Sequence, residues 1–398
     1  MATTIHVKDY LGRLPGQPVS AIDTPALVID LDAMERNLAT MAAFTSIHNV
    51  RLRPHAKMHK SAELAKLQVA EGAVGVCVQK TSEAEAMVAG GVYNVFITNQ
   101  VIAPLKLARI AALTRAVLPH EGRIAVCVDS LDGITRLATI MNESRAASGI
   151  ATEIHVFIEI NVGHNRCGVE PGPDAVALAL EIRKHPALSF SGLQAYHGKA
   201  QHLRTPAERK QATSDAVKAV GLTRQLLEAE GLKAGIVTGA GTGTMAYEAA
   251  SGVYDELQAG SYLFMDADYA VNQREPGQPK FEHALFVKTQ VISTNTAQGY
   301  VVCDAGHKSH AIDSGMPRVH AFGARNILEY SNGGDEHGIL KPAPGATRLP
   351  HLGSMLWLIP GHCDPTVNLH DVMIGVRGGL LKGTVERIIK VDARGAVT

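Results

Sequence analysis

From about residue 25 to 270, short β-branched runs alternate with longer stretches whose apolar residues recur every three or four positions. "ALVID" (26–30) is strand-like. In "LDAMERNLATMAAF" just behind it, Leu31, Met34, Leu38, Met41 and Phe44 recur at helical spacing. Eight further strand-like runs follow, at 50–55, 73–78, 94–98, 123–129, 153–160, 189–196, 233–239 and 256–260. Helical patterns separate most of them, for example over 102–116, 132–147, 173–185 and 206–230. Strand–helix alternation of this length predicts a parallel sheet, and eight units predict a closed (β/α)₈ barrel of the TIM type over 25–275.

After residue 275 the pattern changes. "HALFVKTQVISTN", "GYVVCDAG", "RVHAFGA", "SMLWLIPGH" and "DVMIGVRGG" are short strand-like runs punctuated by Gly, Pro and Asn, without helical periodicity. They predict a mostly antiparallel β domain over 276–398, with residues 1–24 packing on it.

Composition narrows the classes. A formal net charge of zero over 398 residues gives no general attraction to nucleic acid or to a membrane surface. No apolar run is long enough to span a bilayer, and the start "MATTIHVKDYLGRLPG" lacks the apolar core of a secretory signal. The five cysteines, Cys77, Cys127, Cys167, Cys303 and Cys363, are scattered without paired spacing. The expectation is a cytoplasmic protein without a disulfide framework.

A barrel of this kind carries its active site at the C-terminal ends of the strands. Polar residues of catalytic type recur there: His55 and Lys57, Gln79 and Lys80, Asn99, Asp129, Arg166, and then Tyr196, His197 and His202. The seventh strand opens into "TGAGTGT" (238–244) and the eighth ends in "AGSY" (259–262). Glycine turns let successive backbone N–H groups approach an anion, and loops after strands seven and eight are a recurrent phosphate site in barrels. A lysine at a strand exit together with a phosphate loop and an arginine suggests pyridoxal 5'-phosphate (PLP). Within "RLRPHAKMHK" (51–60) two lysines compete for the cofactor's aldehyde. Lys57, directly after the strand, suits it better than Lys60 at the entry to the next helix.

The stretches "DTPALVIDLDAMERNL", "RPHAKMHKSAELAKLQ", "GAVGVCVQKTSEAE", "GHNRCGV", "GLQAYHG", "TGAGTGT", "SGVYDELQAGSYLFMDADY", "DEHG" and "PGHCDPTVNLHD" run in order from about Asp23 to Asp371. Together they resemble the D-threonine aldolase family, alanine-racemase-like fold type III PLP enzymes related to D-serine dehydratase. The resemblance implies a PLP barrel followed by a β domain, in a homodimer with the active site near the subunit interface. It implies Lys57 as the Schiff-base lysine, Arg166 near the cofactor's ring oxygen and Tyr196 close to the ring. Thr238, Gly239, Gly241, Thr242, Gly243, Gly260, Ser261 and Tyr262 lie on the segments that hold the phosphate.

By the same resemblance, His362 and Asp364 hold a divalent metal. Taken alone a His-x-Asp is not a specific motif; the aldolases use this pair, whereas the dehydratases carry His-x-Cys and zinc. A His–carboxylate pair favours Mn²⁺ or Mg²⁺ and leaves Zn²⁺ possible, and Cys363 must then point away. The implied reaction splits a D-3-hydroxy amino acid such as D-threonine into glycine and an aldehyde. His197 is the candidate base for the β-hydroxyl proton, against a packing role. A D-3-hydroxy amino acid dehydratase, a β-hydroxyaspartate aldolase and a non-enzymatic PLP-homeostasis protein are the alternatives.

Overall fold

The computed structural model describes residues 7–320, 328–346 and 348–398. Eight parallel strands form one curled sheet: Arg51–Leu52, Val76–Val78, Asn94–Gln100, Arg123–Val128, Ile154–Glu159, Leu188–Ala195, Ile236–Gly239 and Glu256–Leu257. Each pairs with its neighbour in sequence, and Glu256–Leu257 pairs back to Arg51–Leu52. The remaining seam closes through a parallel bridge between His55 and Cys77, with Cys77 N–H donating to Pro54 O at 2.9 Å. All eight expected runs therefore contribute strands. Helices Pro104–Val117, Leu131–Ser148, Pro173–Ile182 and Pro206–Ala229 occupy the expected connections. The barrel's outer face buries Val, Ile and Leu against these helices, while Phe96, Phe157, Cys77 and Cys127 fill its interior below the mouth.

The sequence groups 26–30 with the barrel section, but these residues form a central strand of the second sheet. Ala26–Asp30 pairs antiparallel with Leu285–Asn295 and parallel with Val372–Arg377. Asp30 then caps the helix Leu31–His48, its carboxylate accepting from Ala33 N–H at 3.1 Å. Leu31, Met34, Leu38, Met41 and Phe44 are all buried, in a core shared by this helix, the barrel and the second sheet.

The second sheet has nine strands and is antiparallel except for the one parallel pair. The pattern missed Leu328–Asn332, Gly338–Pro342 and Thr384–Lys390, whose apolar positions are few and alternate with exposed polar ones. Of the expected run 318–324, Arg318–Val319 forms a strand and 321–324 lie outside the described residues. Leu14, Val19 and Ile22 pack with Phe286, Trp357 and Val385 of this sheet, so residues 14–22 lie on it. Among the described residues no helix is long and apolar enough to cross a membrane.

Lys60 fastens the two units together. Its side chain is 9% exposed, and Nζ sits 3.3 Å from Glu83 Oε1 at the start of the barrel helix Thr81–Ala89. The same nitrogen donates to Asn368 Oδ1 at 2.9 Å and to Ala393 O, both in the second unit. Removing one partner of a buried pair strands a charge, at a cost of about 3–5 kcal/mol. Glu83→Ala is therefore expected to lower the denaturant midpoint by that equivalent. A loss below about 1 kcal/mol would mean that the pair behaves as a solvated one.

Candidate active site

A cavity of 580 Å³ opens at the C-terminal rim of the barrel, under the residues that follow strand Met355–Ile359. Among the sequence-predicted residues, Lys57, Arg166, Tyr196, Gly241, Thr242, Gly260, Ser261, His362 and Asp364 line it. Gly239 ends strand Ile236–Gly239 just before the loop that reaches the cavity.

Lys57 rides on a 3₁₀ turn, Ala56–Met58, directly after the first barrel strand. His55 beneath it accepts from Lys57 N–H through Nδ1, so its Nε2–H donates to Thr98 Oγ1 at 3.1 Å. Burial pushes the His55 pKa well below the usual imidazole value, which keeps the ring neutral. Lys57 Nζ lies 3.3 Å from Asp364 Oδ2, and that carboxylate raises the lysine's pKa. Lys60 faces away, into its own ion pair. Position thus separates the two lysines that the sequence left in competition.

Arg166 extends from the loop after strand Ile154–Glu159. Asp129, just past the end of the preceding strand Arg123–Val128, accepts Gly168 N–H at 3.1 Å and ties that loop down. Gly168 has φ +97°, and a Cβ there would lie 2.9 Å from Asn161 N, so the tight return requires glycine. Arg166 makes no ion pair among the described residues. Tyr196 follows strand Leu188–Ala195, and burial raises its phenol pKa.

The glycine loop is a backbone cradle. A Cβ on Gly241 would sit 2.5 Å from Gln201 Oε1, and one on Gly260 would sit 2.8 Å from His55 O. Behind the loop, Gln201 accepts Gly243 N–H at 3.0 Å and donates to Thr244 Oγ1 at 2.7 Å. Thr244 in turn donates to Glu248, whose pKa burial pushes up to about 7. Gly243 itself faces a neighbouring cavity of 390 Å³, on the other side of the loop. Thr238 and Tyr262 do not reach the main cavity with their side chains. Thr238 Oγ1 is held in the barrel interior by Glu256 and Gln258, and the Tyr262 ring is in the core with its hydroxyl on Gln68. An amine, a glycine cradle and an unpaired guanidinium on one cavity fit PLP.

His362 and Asp364 flank the start of a short helix, Cys363–Val367. His362 Nε2 is 3.7 Å from Asp364 Oδ1, and both side chains face the cavity. Cys363 is 0% exposed, its Sγ packed toward Met265 O and its N–H donating to Asp266. Burial opposes charge on His362, but the carboxylates of Asp364, Asp313 and Asp266 outweigh it and raise its pKa. Among the described residues no three His, Cys, Asp or Glu side chains are grouped to hold a metal. His362 and Asp364 thus supply two donors, and their nitrogen–carboxylate chemistry fits a hard or borderline divalent ion.

His197 is the residue that the geometry redirects. It lies outside the main cavity, in a shallow depression with Val162, Gly163 and Leu203, and burial lowers its pKa. A Cβ on Gly163 would be 2.8 Å from its Nε2. His202 lines the cavity in its place. The intervening Gly198–His202 is a 3₁₀ turn, and residues three apart eclipse in that helix, so Lys199 and His202 share the cavity side. His202 Nδ1 is 2.7 Å from Asp268 Oδ2, which directs Nε2 elsewhere. Five residues at a strand exit, with one alanine as their only apolar side chain, offer no periodicity from which a single 3₁₀ turn could be read.

Comparison with known proteins agrees with this arrangement. Residues 29–268 match the family model of the alanine racemase N-terminal domain, and 284–376 match a putative serine dehydratase domain. A D-threonine aldolase of Arthrobacter sp is 43% identical over 96% of this chain and 95% of its own. A 3-hydroxy-D-aspartate aldolase of Paracoccus denitrificans is 42% identical over 96% of this chain and 95% of its own. The crystal structure of D-threonine aldolase from Filomicrobium marinum superposes with a TM-score of 0.89 at 47% identity, covering 97% of this chain and 99% of that one. The chain therefore belongs to the D-threonine aldolase family, PLP-dependent lyases with an alanine-racemase-like fold.

Proposed function

We propose that this chain cleaves D-3-hydroxy amino acids of the D-threonine type to glycine and an aldehyde, with PLP and a divalent metal, Mn²⁺ or Mg²⁺ before Zn²⁺. The observation that carries the reading is the pair facing the cavity. It is His362 with a carboxylate, Asp364, while Cys363 between them is buried with its thiol turned away from the cavity. When bound, PLP supplies an electron sink at Cα and the metal a Lewis acid for the β-hydroxyl.

The chain's own residues then have separate tasks. Lys57 would hold the cofactor through Nζ. Arg166 and Tyr196 orient the ring, and the backbone of 241–242 and 260–261 takes the phosphate. His202, oriented by Asp268, receives the β-hydroxyl proton on Nε2 as general base. His362 and Asp364 would hold the ion. Exposed Ile102, Leu105 and Leu131, with Leu105 82% exposed, lie where the chain leaves strands Asn94–Gln100 and Arg123–Val128 and enters the next helix, and support a homodimer joined near the site.

One observation favours a second reading within the aldolase class. Lys80 and Lys199 line the cavity and make no ion pair among the described residues. Either could meet the distal carboxylate of a 3-hydroxyaspartate.

Incubating the PLP- and Mn²⁺-loaded protein with D-threonine and identifying the products tests the proposal. Glycine and acetaldehyde are expected; 2-oxobutyrate and ammonia would make the chain a dehydratase. Glycine and glyoxylate from 3-hydroxy-D-aspartate, formed at a higher kcat/KM, would select the second reading. Lys57→Ala should fold normally yet lose the visible absorbance of lysine-bound PLP, and retention of that band would refute the anchor. His202→Ala should lower kcat about 100-fold or more with the band intact, whereas His197→Ala should change kcat little. The reverse ranking would return the base role to His197.

A further inference from the structure

His362 uses its two ring nitrogens differently. Nε2 faces the cavity beside Asp364, whereas Nδ1 lies 2.7 Å from Asp313 Oδ2 and 3.3 Å from Ser314 Oγ. Asp313 belongs to the connection between strands Tyr300–Cys303 and Arg318–Val319. No sequence motif links it to His362.

That connection is fixed against the His362 segment at several points. Ala311 N–H donates to Thr366 Oγ1 at 3.0 Å, and Thr366 Oγ1 donates to His362 O at 2.7 Å. The ring of His370 bonds Ser309 O at 2.8 Å. At Gly361 the backbone of Gly315 comes so close that a Cβ would collide with it. The carboxylate itself is braced by Ser314 Oγ at 3.0 Å. Asp313 thus reaches Nδ1 from a clamped backbone, despite the exposure of its side chain.

A neutral imidazole carries one proton. A carboxylate at Nδ1 holds that proton there and leaves the Nε2 lone pair free, oriented and more basic. We propose that Asp313 is a positioning residue for His362, setting the tautomer and ring angle with which Nε2 meets a divalent cation. The inference rests on the reading of His362 and Asp364 as metal ligands.

The test is Mn²⁺ affinity of the PLP-loaded protein, followed by the electron paramagnetic resonance of free Mn²⁺, in wild type, Asp313→Ala, Asp313→Asn and His362→Ala. Asp313→Ala should weaken Mn²⁺ binding about 10- to 100-fold. Asp313→Asn, whose amide oxygen still accepts from Nδ1–H, should recover much of the loss. Absorbance of lysine-bound PLP and the melting temperature should stay at wild-type values in both. Wild-type affinity in Asp313→Ala, with affinity lost in His362→Ala, would overturn the inference and leave the metal reading standing. Losses in both Asp313 variants as large as that of His362→Ala would make Asp313 a ligand itself and also overturn it. Unchanged affinity in all three variants would overturn the metal reading and the inference with it.

Discussion

Lys60 adopts a left-handed backbone conformation, φ 52°, uncommon for a residue with a Cβ. Its ammonium is buried between Glu83 of the barrel and Asn368 and Ala393 of the second unit. Glu83 also accepts the N–H groups of Gln79 and Lys80, the residues at the exit of strand Val76–Val78. One ion pair therefore joins three things: the turn that carries Lys57, the next strand exit, and the segment that follows Asp364. The contact of 3.3 Å between Lys57 and Asp364 depends on that junction.

The barrel alone offers an amine, a guanidinium and a glycine cradle. Only the second unit adds His362 and Asp364, and these residues close over the cavity from above. Each half is built by different physics. Parallel strands bring eight chain exits to one rim whatever their sequence separation. The antiparallel sheet instead ends a strand, Met355–Ile359, beside that rim and turns it into a short helix. A carboxylate lies against the Nδ1 of each ring: Asp268 at His202 and Asp313 at His362, both at 2.7 Å.

The barrel was legible in the sequence because its strands are apolar on both faces and its helices long enough to show a period. Ala26–Asp30 was readable as a strand, but its partners were not, since pairing with Leu285–Asn295 and Val372–Arg377 leaves no local mark. Within the site, residues of the strand exits were readable: Lys57, Arg166 and Tyr196 all reach the cavity. His197 and His202 were indistinguishable by type, and the five-residue 3₁₀ turn puts His202 on the cavity and His197 outside it. Asp313 and Asp268 were invisible because their partners are distant in the chain and their own neighbourhoods are ordinary turns. Thr238 and Tyr262 were read as cofactor contacts from their segments, yet their side chains serve the interior.

The geometry at 362–364 has a consequence for how such a site can diversify. Alternate side chains face the cavity, and the middle one is spent on the core. On the proposed reading of His362 and Asp364 as metal ligands, the hardness of the donor pair changes at position 364 alone, while Cys363 keeps its place in the core. Stability and metal preference would then be written at neighbouring but separate positions, and a single codon would move the chemistry without renegotiating the fold.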